Sequence, residues 1–142
     1  MEGFHIHYYV HREMRFVSYE YTEGVKIGAV IDDGIIDLSD AGPSLKAVLA
    51  TGPLDNLITV AQRRAPTVDV DHVVLHQVIP DTERIICVGR NYKDHAKEMG
   101  SEPPSVPNLF MRTCHSLVGH QQSVVKPKVS DQYDYEGELA VI

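Results

Sequence analysis

Cysteine is scarce in this chain of 142 residues, with Cys87 and Cys114 as the whole supply. Their separation has no metal-ligand spacing. One disulfide would use both, but nothing demands it, and free thiols in a reducing cytosol are the default. Long apolar runs are also lacking. None approaches the ~20 residues of a membrane helix, and the N-terminus has no long apolar stretch of the signal-peptide kind. Positive charge is in short supply, with 13 Lys and Arg against 20 Asp and Glu, a net charge of -7. That balance argues against nucleic acid or an anionic membrane as partner. The chain has no internal repeat and no low-complexity tract. These absences lead to the expectation of a soluble, cytoplasmic protein.

What is present is ordinary for a globular protein, with 43% hydrophobic and 23% charged residues. The length suits one modest domain, or a small domain and the start of another. Residues 1–13 read as a non-native or disordered prefix, with Met14 as the natural start. His5 and His7 lie there at strand spacing, but no acidic or thiolate group converges with them to make a metal site.

From Arg15 the chain reads as a small β-rich domain over residues 14–80. Arg15 to Tyr21 alternates weakly, as a strand does. Val25 to Ile31 follows the turn signal Glu23-Gly24 and is a second strand. Asp32-Asp33-Gly34 is a hairpin turn, because Asp-Gly suits positive φ, and Ile35 to Leu38 returns. Ser39-Asp40 offers a helix cap, with Pro43 in the first turn and Gly52 closing the helix. Pro53 opens a second helix. Its Leu54, Leu57, Ile58 and Ala61 recur at i, i+3, i+4 and i+7, an amphipathic stripe for core packing. Val73 to Val78 is a short apolar run before the break at Pro80-Asp81. Nothing to this point carries evident chemistry.

Ile85 to Val88 reads as a buried strand with a sharp exit at Gly89. Asn91 to Glu98 is polar and helix-compatible. His95 and Glu98 then become surface neighbours three residues apart. A carboxylate beside an imidazole fixes its tautomer and favours its charged form, which prepares a general base. The plainer reading is a solvated ion pair that contributes little. Pro103, Pro104 and Pro107 mark a loop, and Leu109 to Arg112 is a short strand ending on a cation. Cys114 and His115 are adjacent, but sequence neighbours in a strand point apart, which discounts them as a thiol–imidazole dyad.

Asp134-Tyr135-Glu136-Gly137-Glu138-Leu139-Ala140-Val141-Ile142 alternates as a strand. Glu136 and Glu138 then share one face, roughly 6.6–7 Å apart along the backbone. Two carboxylates held close repel unless one is protonated or a cation joins them. Oxygen ligands suit a hard ion, Mg²⁺ first, with Mn²⁺ or Ca²⁺ as rivals. The alternative is that Glu-x-Glu is the wet face of a half-buried strand.

Taken together, four motifs resemble the fumarylacetoacetate hydrolase family, particularly its bacterial branch of 2-oxo-acid hydrolases, decarboxylases and isomerases. They are Ile-Cys-Val-Gly-x-Asn-Tyr-x-Asp-His-x-x-Glu, Pro-x-x-Pro-x-Leu-Phe, Ser-Leu-Val-Gly and Asp-Tyr-Glu-Gly-Glu-Leu-Ala-Val. The resemblance runs from about Arg84 to Ile142. It implies an α+β, mostly β fold, in which a small N-terminal domain precedes the start of a mixed β roll over residues 81–142. It implies that Glu136 and Glu138 are metal ligands, with a third, an aspartate, beyond Ile142. It implies that His95 and Glu98 form a catalytic pair on a short lid, and that Arg90, Asn91 and Arg112 lie near substrate.

The function so implied is divalent-metal-dependent hydrolysis of a carbon–carbon bond in an acylpyruvate-type 2-oxo acid, in a homodimer. The alternatives are isomerisation or decarboxylation of related acids on the same site, or a non-catalytic binding module. Because the apolar run Leu139 to Ile142 ends without a turn, the chain is expected to be a fragment that binds metal weakly and turns over little.

Overall fold

The computed structural model describes residues 14–142. The proposed prefix, with His5 and His7, lies outside the described residues. The architecture is α+β and mostly strand, with three α-helices among the described residues.

Strands β1 (Arg15–Glu20), β2 (Val25–Ile31) and β3 (Gly34–Asp37) form the expected antiparallel meander. Helices α1 (Leu45–Thr51) and α2 (Leu54–Ala61) follow. Two-residue strands β4 (Val68–Asp69) and β5 (Val74–Leu75) then add to opposite edges, giving the order β4-β3-β2-β1-β5. Strand alternation divides the apolar residues between two faces. Ile27, Ala29 and Ile36 pack with Leu38 under Leu45 of α1 and Leu57 and Ala61 of α2, together with Ile79. Tyr19, Val30 and Ile35 fill the other face with Val17, Val68 and Leu75. Each fully buried large aliphatic side chain contributes roughly 1.5–3 kcal/mol of transfer free energy.

Three local expectations are corrected. The positive φ of the β2–β3 turn falls on Asp32 (φ 53°). Gly34 is instead the first paired residue of β3, where a Cβ would lie 2.5 Å from Pro66 Cβ. The cap of α1 is Ser44, whose hydroxyl accepts from the Ala47 amide, whereas Ser39–Ala41 forms a separate 3₁₀ turn. Pro43 therefore precedes the helix. Asp40 is used differently: both its oxygens accept from Arg64 beyond α2, at 2.7 and 2.6 Å. Those hydrogen bonds hold its carboxyl below the usual carboxylate range. Leu54, at the start of the α2 stripe, is exposed, so the stripe buries Leu57 and Ala61 but not its first member.

A second sheet pairs β6 (Ile85–Gly89) with β7 (Asn108–Arg112), antiparallel, in the register Ile85↔Arg112 to Gly89↔Asn108. Helix α3 (Lys93–Glu98) sits between them in sequence. The β6 run was expected to be buried, but Ile86 is 62% exposed, because a two-stranded ribbon covers few of its own side chains. Among the described residues no helix is long and apolar enough to cross a membrane.

Candidate active site

Arg90, Asn91, His95 and Glu98 follow β6 in the chain, Arg112 ends β7, and among the described residues Arg112 meets Glu136 while His95 meets only Glu98. Gly89 ends β6, and Arg90 turns the chain with a left-handed backbone (φ 57°). Tyr92 then occupies the N-cap position of α3, without a side-chain cap hydrogen bond. Ala96 of α3 is buried, while His95 and Glu98 face outward, as the spacing required. His95 Nδ1 and Glu98 Oε2 are 4.0 Å apart, with side chains 58% and 79% exposed. This is a loose, solvated pair. It orients the imidazole weakly in this arrangement and leaves both groups open to a substrate.

Arg112 ends β7. Its Nη2 donates to the exposed Glu136 Oε1 at 3.1 Å, and its Nε is buried without a hydrogen-bond partner. The Leu139 amide donates to Tyr92 Oη at 3.0 Å. The segment bearing the two glutamates is thus tied at one point to the end of β7 and at another to the start of α3. Sequence reasoning missed Tyr92 as a holding group. Its place inside the Asn-Tyr motif was the available signal.

The terminal segment corrects another expectation. Residues 133–142 join no strand. Alternation specifies which side chains share a face, but a strand also needs a neighbouring edge to take its N–H and C=O groups. Among the described residues none does so. Glu136 therefore meets Arg112 rather than being fixed beside Glu138 by a pleat. The Cys114–His115 expectation is also corrected. Cys114–Ser116 is a 3₁₀ turn, not a strand, and brings Cys114 Sγ within 3.5 Å of His115 Nδ1. Both cysteines are free thiols.

Glu136 and Glu138 offer carboxylate oxygens, the donor type a hard cation takes, but the structure does not bring them together as a site. A guanidinium already stands at Glu136 in the position of a positive partner. Two carboxylates supply fewer oxygens than Mg²⁺ takes. Among the described residues, no group of three His, Cys, Asp or Glu side chains assembles around a common point.

The loop 113–122 leans on the first sheet. Gln77 Nε2 donates to the Leu117 carbonyl at 2.9 Å, and a Cβ on Gly119 would collide with the Leu75 carbonyl. The Ser-Leu-Val-Gly motif is thereby explained in part: its glycine is where two backbones touch.

Comparison with known proteins places the sequence in a family. The family described as fumarylacetoacetate (FAA) hydrolase, C-terminal, matches residues 84–142. The oxaloacetate tautomerase YisK of Bacillus subtilis is 34% identical over 156 residues, covering 91% of this chain and 51% of the relative. The fumarylacetoacetate hydrolase domain-containing protein 2 homolog of Dictyostelium discoideum is 32% identical, covering 82% of this chain and 41% of its own. The mitochondrial oxaloacetate tautomerase Fahd2a of Rattus norvegicus is 29% identical, covering 92% and 45%. The chain thus spans about half, or less, of the length of these curated relatives. On the family match and these relatives, the chain belongs to the fumarylacetoacetate hydrolase family.

Proposed function

We propose that this protein acts on a 2-oxo acid by moving a proton between carbon and oxygen, a keto–enol tautomerisation of the oxaloacetate type. The observation that carries the reading is the extent of the alignment to two relatives named oxaloacetate tautomerase, which takes in 91% and 92% of this chain and so both of its sheets. Hydrolysis of an acylpyruvate-type carbon–carbon bond is the second reading, favoured by the family description over residues 84–142.

The chain's own residues support proton transfer. His95 is exposed on α3 with Glu98 beside it, so the imidazole is free to take a proton from the carbon next to the carbonyl. Glu98 then stabilises the imidazolium, and the same ring returns the proton at oxygen. Arg112 offers a planar fork to the substrate carboxylate, with Arg90 and Asn91 at the turn before α3. Glu136 and Glu138 would contribute two oxygens to a divalent cation, Mg²⁺ or Mn²⁺. When bound, that cation supplies positive charge beside the 2-oxo oxygen.

The test follows oxaloacetate enol decay by ultraviolet absorbance, beside acylpyruvate cleavage, with protein expressed from its complete reading frame. The expected result is tautomerisation above the buffer rate, reduced about 10²–10⁴-fold by His95→Gln. Cleavage without tautomerisation would transfer the assignment to the hydrolase reading. Absence of both, or full activity in His95→Gln, would refute the proposal.

A further inference from the structure

Residues 76–78 leave β5 and are bonded on two sides. Toward β1, the His76 amide donates to the Ser18 carbonyl at 2.9 Å, and the buried Ser18 hydroxyl donates to the Val78 carbonyl at 2.8 Å. Toward the loop after β7, Gln77 Nε2 donates to the Leu117 carbonyl at 2.9 Å across 40 residues of sequence. Gly119 lies buried against the same stretch, where a Cβ would collide with the Leu75 carbonyl and stand 2.9 Å from His76 Cα. The loop closes on itself at this point. The Gly119 amide donates to Gln122 Oε1 at 3.0 Å, and the Gln122 amide donates to the Gly119 carbonyl at 3.2 Å. Between them Gln121 is held in the left-handed region (φ 59°), a conformation a glutamine keeps where its surroundings enforce it.

We propose that residues 76–78 are a strap through which the β5 edge of the first sheet and the loop 113–122 open and close together. The strap holds whichever reaction the protein catalyses. Gln77 supplies a directed hydrogen bond, and Gly119 supplies the fit of one backbone on another. When the contact opens, the Leu75 and Leu117 carbonyls turn to water and the strained turn at Gln121 relaxes. The opening reaches back toward β7, because the Leu117 amide donates to the Cys114 carbonyl at 3.2 Å and the Ser116 amide to the Thr113 carbonyl at 3.0 Å. Coupling between two places is reciprocal, so what loosens the loop loosens the strap, and the converse. Cys114, a half-buried free thiol in that 3₁₀ turn, is a built-in reporter.

The experiment is amide hydrogen exchange by nuclear magnetic resonance on wild type and on Gln77→Met, which keeps the side chain's length and loses its donor. Beside it, an aromatic disulfide reagent reads the reactivity of Cys114 in a Cys87→Ser background. The Leu117, Gly119, Gln122 and His76 amides are expected to exchange about two- to tenfold faster in Gln77→Met, the scale of one modest hydrogen bond. Cys114 should react faster by a similar factor, with the amides of the β2–β3 ladder unmoved, the pattern of local opening. Unchanged loop amides would overturn the proposal. Equal acceleration in the β2–β3 ladder would do the same, since it marks a loss of overall stability. Faster loop amides with His76 unmoved would show a loop that moves alone, and the coupling would fall. Gly119→Ala puts the question from the loop side. There the His76 amide should again accelerate, and full protection of His76 in a folded Gly119→Ala chain would overturn the strap.

Discussion

Substituting alanine for Gly28 tests the packing of the first sheet more sharply than truncating any core side chain. Gly28 lies in the middle of β2, paired with Val17 on one side and Asp37 on the other. A Cβ there would stand 2.6 Å from Ile35 Cγ2, 2.9 Å from the Ile36 carbonyl oxygen and 3.0 Å from Tyr19 Cε1. Ile35 and Tyr19 are fully buried, and the Ile36 carbonyl belongs to the β2–β3 ladder. None of these atoms is the free end of a flexible side chain, so the sheet itself has to move. Overpacking of this kind costs about 1–3 kcal/mol. Alanine recovers part of that by restricting the unfolded chain, about 0.4–1 kcal/mol. A net loss of about 1–2 kcal/mol is expected. Urea denaturation reads it as a lower midpoint at unchanged slope. Gly137→Ala is the control, since a Cβ there meets nothing within 4 Å. A Gly28→Ala chain as stable as the Gly137→Ala chain would refute the claim that this backbone position is closed.

Two further outcomes are expected. Burial first, and then the negative charge of Asp37, pushes the Tyr19 hydroxyl from 10.0 up to about 12. The folded chain thus holds this proton more tightly than the unfolded chain. Its contribution to stability is complete below pH 10 and is lost as the pH rises toward 12. In a tyrosinate absorbance titration compared with Tyr19→Phe, the Tyr19 signal should appear only as the chain unfolds, and its appearance near pH 10 in a folded chain would contradict this. Tyr92→Phe removes the acceptor of the Leu139 amide. Hydrogen exchange at Leu139 should accelerate about two- to tenfold, the scale of one modest hydrogen bond, with the urea midpoint unmoved; unchanged exchange would show that Tyr92 does not hold this segment.

Much of this was legible in the residues. Val25 to Ile31 and Ile35 to Leu38 alternate around an Asp-Asp-Gly turn, and local pattern and turn chemistry agree there. Helix α3 was readable because His95 and Glu98 lie outward while Ala96 is buried. Strand β4 was not foreseen, because two residues such as Val68–Asp69 carry no period and are defined by the edge they pair with. Ser39 and Ser44 are equally good caps by type. The choice of Ser44 is accompanied by its hydroxyl donating to Asp81 Oδ2, a partner 37 residues away. The glutamate segment failed in the opposite way: its alternation is strong, but the residues it meets, Arg112 and Tyr92, are set by tertiary structure. Sequence could name candidates for a site but not which of them touch.

The pairing of β5 with β1 has a consequence beyond packing. Tyr19 lies opposite Leu75, the His76 amide donates to the Ser18 carbonyl, and the Ser18 hydroxyl donates to the Val78 carbonyl. The segment from Met14 to Ile79 therefore leaves the sheet beside the strand where it entered. A unit whose two ends are neighbours can be spliced into another chain, or have its ends joined and reopened elsewhere, while displacing little of its host. In this geometry the first sheet is entered and left along a single seam, between β1 and β5.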